Sequence, residues 1–124
     1  MCNIWQNRIT DELKPEEFLK LPDSLKDINI TGGEPFLRMD LPEIVANIKL
    51  AAPKARLVLS TNGFLPKVIE KNIPKILQTD PDFAVRVSLD GWNETHDRIR
   101  RIPNGFNMIM ETLSILKAAG VKDL

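Results

Sequence analysis

The sequence predicts an α/β fold, a partial (β/α) barrel of about three βα units built on a parallel sheet. Three short runs rich in β-branched residues each end in a turn signal, and helical patterns with a period near 3.6 follow them. Strands that alternate with helices of this length form βαβ units, in which the strands are parallel and the crossovers right-handed. One face of the predicted strands is polar, which favours a barrel over an open sheet.

The predicted strands cover residues 27–31, 56–61 and 84–89. Each is closed by a glycine-containing pair that is typical of a turn, namely Gly32-Gly33, Asn62-Gly63 and Asp90-Gly91. Each strand is short and is bounded on both sides by helical patterns or turns, so all three fit a single sheet.

Apolar residues at helical spacing predict a helix after each strand. The first stripe is Leu41, Ile44, Val45 and Ile48, and Pro53 ends this helix. The second stripe is Leu65, Val68, Ile69, Ile73, Ile76 and Leu77. Pro74 lies inside the second stripe and is expected to kink the helix or split it in two, because proline lacks the N–H that a helix interior needs.

The third stripe is Phe106, Ile109, Met110, Leu113 and Leu116, and it ends at Gly120. Two shorter helical segments are also predicted. A weak one covers residues 15–21, before the first strand, and Asn93 with Glu94 is typical of a helix start.

Alternation along the strands separates an apolar face from a polar one, because successive side chains point to opposite sides. Ile28 and Ile30 oppose Asn29 and Thr31, and Val85, Val87 and Leu89 oppose Arg86, Ser88 and Asp90. A doubly wound open sheet has helices on both faces and needs both to be apolar. A polar face therefore favours a barrel whose lumen holds a polar ligand, with the site at the carboxyl ends of the strands.

Composition excludes several classes of protein. The 124 residues suit one domain, and 17 basic against 17 acidic side chains leave no basic excess for nucleic acid or an anionic membrane. No apolar run approaches the roughly 20 residues that span a bilayer. A single cysteine, Cys2, cannot form an internal disulfide, and no signal peptide is recognisable. We expect a soluble, cytoplasmic protein that binds neither nucleic acid nor membrane.

The sharpest motif is Gly32-Gly33-Glu34-Pro35, directly after the first strand. Glycines let the backbone approach a ligand closely, and Pro35 restricts the residue before it. The Glu34 carboxylate beside an exposed backbone edge could bind a ligand ammonium. The alternative is a tight turn in which Glu34 interacts with the start of the next helix.

Two further strand ends are polar. Ser60 and Asn62 could bond a ligand or could simply form a hydrogen-bonded turn. Ser88 and Asp90 point the same way, and a short helix could bring Arg100 back over them to hold a carboxylate, or the group could be a solvated charge cluster with His96 as a local cap. His96 has no partner at zinc-ligand spacing, so a zinc site is not predicted.

Taken together, these segments resemble the radical S-adenosylmethionine (radical SAM) enzyme superfamily, in the branch of cofactor-maturation and peptide-modifying enzymes. Gly32-Gly33-Glu34-Pro35 is similar to the family segment that binds the methionine amino group, and Ser60-Thr61-Asn62-Gly63 to a family strand end. Cys2 resembles the third cysteine of the loop that holds a [4Fe–4S] cluster. The resemblance covers nearly the whole chain and implies a partial barrel of the radical SAM type.

The resemblance implies a role for each matching residue. Cys2 would ligate the cluster, and Gly32, Gly33, Glu34 and Pro35 would form the ammonium site. Ser60, Asn62, Ser88, Asp90 and Arg100 would line the cofactor site, with Ser88 on the ribose or carboxylate and Arg100 on the carboxylate. The implied reaction is reductive cleavage of SAM to a 5′-deoxyadenosyl radical, with electrons from a reductant such as a ferredoxin or flavodoxin.

The departures from the family pattern predict that residues 1–124 are an incomplete core domain. The first two cluster cysteines are absent, and the three strands match the second to fourth of the family barrel, so we expect the chain alone to be inactive. Open sheet edges predict self-association. Two other functions remain open: a cluster-free β/α-barrel fragment that binds a phosphorylated or sugar ligand, and a non-enzymatic α/β interaction module.

Overall fold

The computed structural model describes residues 13–124, and its centre is a parallel three-stranded sheet. The strands are β1 (Asp27–Ile30), β2 (Arg56–Thr61) and β3 (Ala84–Val87), in the order β1-β2-β3. The ladder pairs Ile28 with Leu57 and Leu59 with Val85. All three predicted strands are therefore confirmed; β1 is one residue shorter than expected and β3 two.

Four α-helices follow the strands: α1 (Leu41–Ala51), α2 (Pro66–Thr79), α3 (Glu94–Arg100) and α4 (Gly105–Ala118). Two 3₁₀ helices, Pro15–Lys20 and Pro35–Leu37, flank β1. Within residues 13–124, no helix is long and apolar enough to cross a membrane. The weak helical segment expected at 15–21 is thus a 3₁₀ helix, which fits its short length and its proline start.

The helices cover one face of the sheet. Leu57, Leu59 and Val85, which share a face, lie in the hydrophobic core with the predicted stripe of α1. On the opposite face Val58 and Ala84 are buried, but Asn29 and Arg86 are exposed and Ser60 is half-buried. The polar character of this face, inferred from alternation, is confirmed toward the carboxyl ends of the strands.

Pro74 does not split its helix. α2 is continuous from Pro66 to Thr79, so the predicted division in two is wrong. The carbonyl that would have accepted from residue 74 belongs to Glu70, and both residues lie on the exposed side of α2. Water can satisfy that carbonyl, so the helix tolerates the missing donor.

The predicted core stripe of α4 is right at its ends and wrong in its middle. Phe106, Ile109 and Leu116 are buried, and α4 ends before Gly120 as expected. Met110 is 41% exposed, whereas Thr112 is fully buried and donates from Oγ1 to the Gly63 carbonyl at 2.8 Å. A threonine takes the inward position because this hydrogen bond ties α4 to the turn after β2.

The backbone around α3 departs from ordinary geometry. Asn93, Arg101 and Asn104 have positive φ angles of 47°, 58° and 63°. L-residues adopt this region at a cost unless neighbouring contacts enforce it. These positions flank α3 on both sides, so surrounding contacts must fix the placement of this short helix.

Candidate functional site

Three polar strand ends lie along the carboxyl edge of the sheet. The turn after β1 carries Glu34, the end of β2 carries Thr61 and Asn62, and the segment after β3 carries Ser88. Ser88 N donates to the Thr61 carbonyl at 3.0 Å, which continues the β2–β3 ladder to this edge. Parallel strands bring these ends together, and such edges hold the sites of β/α folds.

Glu34 links the first two strand ends. Its Oε1 accepts from Thr61 Oγ1 at 2.8 Å and from Phe36 N at 3.2 Å, and its Oε2 accepts from Asn62 N at 2.7 Å. These donors belong to its own turn and to the neighbouring strand. The carboxylate is therefore held rigidly at the β1–β2 edge, with Pro35 buried behind it as the first residue of a 3₁₀ helix.

The backbone beside Glu34 is open. Gly32 has φ +145°, which favours glycine, and a side-chain carbon added at Gly32 or Gly33 would meet no atom within 4 Å. The peptide groups of this turn are therefore accessible to a ligand. Glycine at residue 32 is required by its backbone angle, since the surrounding space would admit a larger residue.

At residue 63, glycine is required both by the backbone φ angle and by the lack of room for a side chain. Its φ is +74°, and an added Cβ would lie 2.9 Å from Val87 Cγ1 and 3.1 Å from Ile109 Cγ1. Gly63 N donates to Thr61 Oγ1 at 3.1 Å, and Phe64 N donates to Asn62 Oδ1 at 2.9 Å. The Asn62 side chain thus folds into its own turn, while its N–H binds Glu34.

The polar face below this edge carries two more of the predicted residues. Ser60 Oγ lies 3.4 Å from Asn29 Oδ1, a long contact between β2 and β1. Arg86 pairs in register with Ser60 and is exposed. These side chains extend the polar surface along the sheet.

The third strand end is built around Asp90. Its carboxylate forms an ion pair with Arg100 Nε, and its N–H donates to His96 Nδ1 at 3.2 Å. Arg100 Nε is buried and is not aligned as an ordinary hydrogen-bond donor, so the contact is ionic. The structure therefore brings Asp90 and Arg100 together, and it places Ser88 beside Thr61 at the end of the β2–β3 ladder.

Two residues of this site were not among the predicted ones. Thr61 shares the apolar face of β2 with Leu57 and Leu59 and is buried at 2% exposure, but its hydroxyl donates to Glu34 and accepts from Gly63 N. His96 was interpreted as a local cap in a solvated cluster, and it is fully buried against the Phe64 ring. A hydroxyl at the last position of an apolar strand face was the available signal for Thr61.

Comparison with protein families shows the family to which the chain belongs. The family model for the radical SAM superfamily matches residues 1–124, the whole chain. The chain belongs to the radical SAM superfamily. Enzymes of this superfamily use SAM and an iron–sulfur cluster, together with a reductant.

Several curated relatives are radical SAM proteins. The chain is 36% identical over 117 residues to the Fe-coproporphyrin III synthase of Methanosarcina barkeri, covering 90% of this chain and 28% of that protein. It is 42% identical over 88 residues to a GTP 3′,8-cyclase of Helicobacter pylori, covering 69% and 26%. An AdoMet-dependent heme synthase of Oleidesulfovibrio alaskensis is 32% identical over 117 residues, covering 90% and 29%. The chain thus spans under a third of each of these relatives.

The part of the chain that the structure describes contains no group of side chains that could ligate an iron–sulfur cluster. No group of three or more His, Cys, Asp or Glu side chains there could hold a metal ion. Cys2, the predicted cluster ligand, lies outside the described residues.

A groove of about 420 Å³ opens beside β1, on the side of the sheet that the helices cover. Its lining is mostly apolar and includes Phe18, Leu21, Ile28, Leu41 and Ile48, with the Gly32–Glu34 turn at one end. The groove and the polar strand ends meet only at that turn. The polar side chains at the carboxyl ends of β2 and β3 lie outside the groove, whereas Glu34 lines it.

Proposed function

We propose that the chain is an incomplete core domain of a radical SAM enzyme, contributing the second to fourth strands of its barrel. In the whole enzyme this domain would bind SAM at the carboxyl ends of β1, β2 and β3. SAM and the enzyme's reduced cluster would supply the radical chemistry, the reductive cleavage of SAM to a 5′-deoxyadenosyl radical. The residues described here would bind, orient and shield it.

The observation that carries the proposal is the junction at Glu34. A carboxylate, an open diglycine backbone and the Asn62 N–H come together at the β1–β2 edge. A phosphate-binding strand end would instead present donors without a carboxylate among them. The charge at this point therefore favours a ligand with an ammonium group, as in the methionine part of SAM.

The hydrogen-bond capacity of Glu34 supports the same assignment. A carboxylate oxygen has two lone pairs. Within residues 13–124, Oε1 accepts two hydrogen bonds and Oε2 accepts one. One acceptor position on Oε2 thus remains for an ammonium N–H, beside the exposed backbone of Gly33.

The other end of the amino acid would be bound from the third strand. Arg100 would neutralise the cofactor carboxylate, and Ser88 would bond the ribose or the carboxylate. Asn62 and Ser60 would border the nucleoside. Arginine suits a carboxylate because its guanidinium offers several donors in one plane.

Cluster ligation in this proposal depends on Cys2 and on cysteines supplied from outside the sequence given. With one thiolate the chain alone would assemble no stable [4Fe–4S] cluster and would be inactive. Electrons would come from a ferredoxin- or flavodoxin-like reductant, so a reducing cytoplasm is the expected compartment. Anaerobic treatment of the chain with iron and sulfide should leave it colourless after desalting.

Binding by the chain itself tests the cofactor site. S-adenosylhomocysteine, which carries the same amino acid and nucleoside, is titrated into the isotope-labelled chain and followed by amide NMR shifts. We expect shifts at Gly33, Asn62 and Ser88, with a dissociation constant on the order of millimolar because the cluster is missing. Glu43→Gln, an exposed change on α1, serves as a control and should bind equally well. Shifts absent from all three strand ends would contradict the proposal.

We also propose that the chain self-associates in solution. β1 pairs with β2 on one side, and no strand among residues 13–124 pairs with its other side. An unpaired strand edge beside an apolar groove favours association with another chain. Sedimentation velocity over a concentration series should show species larger than the 14.1 kDa monomer. A monomer at every concentration would refute this.

A further inference from the structure

We propose that Asp90 and His96 are positioning residues for Arg100. His96 fixes the backbone at Asp90, and the Asp90 carboxylate fixes the guanidinium that receives the cofactor carboxylate. This inference rests on the proposed function and adds residues that act through Arg100 without touching the cofactor. Asp90 thereby takes a different role from the direct cofactor contact that the resemblance implied.

The contacts of His96 show which ring nitrogen is an acceptor. Nδ1 accepts the Asp90 N–H at 3.2 Å, so in the neutral ring the proton lies on Nε2. His96 is fully buried, and Nε2 has no hydrogen-bond partner among the described residues. Burying an unpaired N–H is unfavourable, and an apolar ring would avoid it. What histidine provides here, and phenylalanine could not, is the Nδ1 acceptor.

Arg100 and His96 act from one face of α3. They are four residues apart, so their side chains project from the same side of the helix. His96 contacts the Asp90 backbone, and Arg100 contacts the Asp90 carboxylate. The segment after β3 and the short helix are therefore joined at a single residue by two contacts of different kinds.

The helix needs such contacts to hold its place. α3 has seven residues, too few to be stable alone, and it lies between the positive-φ residues Asn93 and Arg101. In the middle of α3, Asp97 Oδ1 accepts from Phe106 N at 2.7 Å, which joins α3 to α4. The position of Arg100 over the strand end is thus set by contacts of α3 with α4 and with Asp90, and Asp90 supplies those nearest the site.

The test compares two ligands of the chain, S-adenosylhomocysteine and its decarboxylated analogue. Both carry the nucleoside and the amino group, and only the first carries the carboxylate. Their affinity ratio, measured by NMR titration, reports how well Arg100 receives a carboxylate. In the unaltered chain we expect a ratio of about ten, one charge-assisted contact. Asp90→Asn keeps the shape of the side chain and removes its charge, and it should lower the ratio about fivefold while the affinity for the decarboxylated analogue stays unchanged.

Two substitutions of His96 separate positioning from packing. His96→Asn places an amide oxygen near the Nδ1 position and loses the ring, whereas His96→Phe keeps a ring and loses the acceptor. Positioning predicts that His96→Asn retains the ratio and that His96→Phe lowers it. A role in packing alone predicts no selective change in the ratio for either.

The outcomes distinguish the two proposals. An unaltered chain that binds both ligands equally would remove Arg100 from the proposed cofactor site, and the positioning roles would fall with it. If the unaltered chain prefers S-adenosylhomocysteine and the affinity ratio is the same in Asp90→Asn and His96→Phe, the positioning inference alone would be overturned. A ratio that rises in Asp90→Asn would show that Asp90 competes with the cofactor for Arg100, which also overturns it. If His96→Phe fails to fold, Asp90→Asn at its partly exposed position decides the question.

Discussion

Two clusters at the same edge of the sheet are held together in different ways. The β1–β2 cluster consists of Glu34, Thr61 and Asn62, and its hydrogen bonds join residues 27 and 28 positions apart. The β3–α3 cluster consists of Asp90, His96 and Arg100, and its hydrogen bond joins residues six positions apart. The first cluster forms only when two strands pair. The second is assembled within one segment after a single strand.

The kinds of contact differ as well. In the β1–β2 cluster one carboxylate accepts three neutral donors, which fixes the two strand ends against each other. In the β3–α3 cluster an ion pair is 24% and 35% exposed, beside a fully buried histidine. Partly exposed ion pairs contribute little to stability. We therefore expect the first cluster to matter for folding and the second mainly for ligand placement.

The largest expected effect is at Gly63, which supports the β1–β2 cluster. Gly63→Ala forces a Cβ to within 2.9 Å of Val87 at a φ of +74°, and should cost about 3 kcal/mol of unfolding free energy. Gly33→Ala, with no atom within 4 Å and no positive φ, is the matched control and should change stability by less than about 0.5 kcal/mol. Urea denaturation measures both. Equal stabilities would contradict the close approach at Gly63.

The comparison itself is tested by neutralising one carboxylate in each cluster. In Glu34→Gln the side-chain NH₂ group replaces either Oε1 or Oε2, and it then faces the donor that this oxygen accepted from, Thr61 Oγ1 or Asn62 N. The variant should therefore lose about 2 kcal/mol of unfolding free energy. Asp90→Asn should lose under about 1 kcal/mol, because its ion pair is partly exposed. Thermal and urea unfolding of the two variants give the difference. Similar losses would mean that the clusters contribute alike to folding.

A smaller effect is expected from pH, at a third carboxylate, Asp40, which directly precedes α1. Hydrogen bonds from Arg38 hold the pKa of the Asp40 carboxyl below its ordinary value. A lowered folded-state pKa gives stability that is present above the unfolded pKa, near 4, and is lost as pH falls through the folded one. Asp40→Asn should cost about 0.5 kcal/mol at pH 7, since the pair is partly exposed.

The control for this prediction is the same variant in acid. At a pH below the folded pKa of Asp40 both chains carry a neutral side chain there, so the difference in unfolding free energy should shrink toward zero. Denaturant curves at several pH values measure it. A difference that stays constant with pH would mean that Asp40 stabilises the chain by some means other than its charge.

Sequence patterns predicted the strands well, because each strand is an isolated run of β-branched residues with a turn at its end. β2 has the predicted bounds, and the parallel order follows from the helices between the strands. The polar edge was also predictable, since alternation assigns side chains to faces. The family assignment followed from the motifs at the three strand ends and is confirmed by the match over the whole chain.

The parts that patterns missed depend on contacts distant in sequence. Thr112 is inward because of Gly63, 49 residues earlier, and its polarity hid it from a search for apolar stripes. Pro74 looked disruptive because its exposure could not be known before the helix was placed. His96 looked like a surface residue, since the aromatic ring that covers it comes from Phe64. The errors at Thr112 and His96 concern side chains whose partners lie in another element, and the error at Pro74 concerns which face of its helix meets solvent.

The strand order has a consequence for how the molecule is made. Each strand pairs with the strand that precedes it in the chain, so β1-β2-β3 is also the order of synthesis. As the polypeptide leaves the ribosome, β2 and β3 each emerge after the strand with which they pair. The crossovers between pairing strands cover residues 31–55 and 62–83, so each strand pairs with its nearest neighbour along the chain. The sheet can therefore form in the order of synthesis, one βα unit at a time.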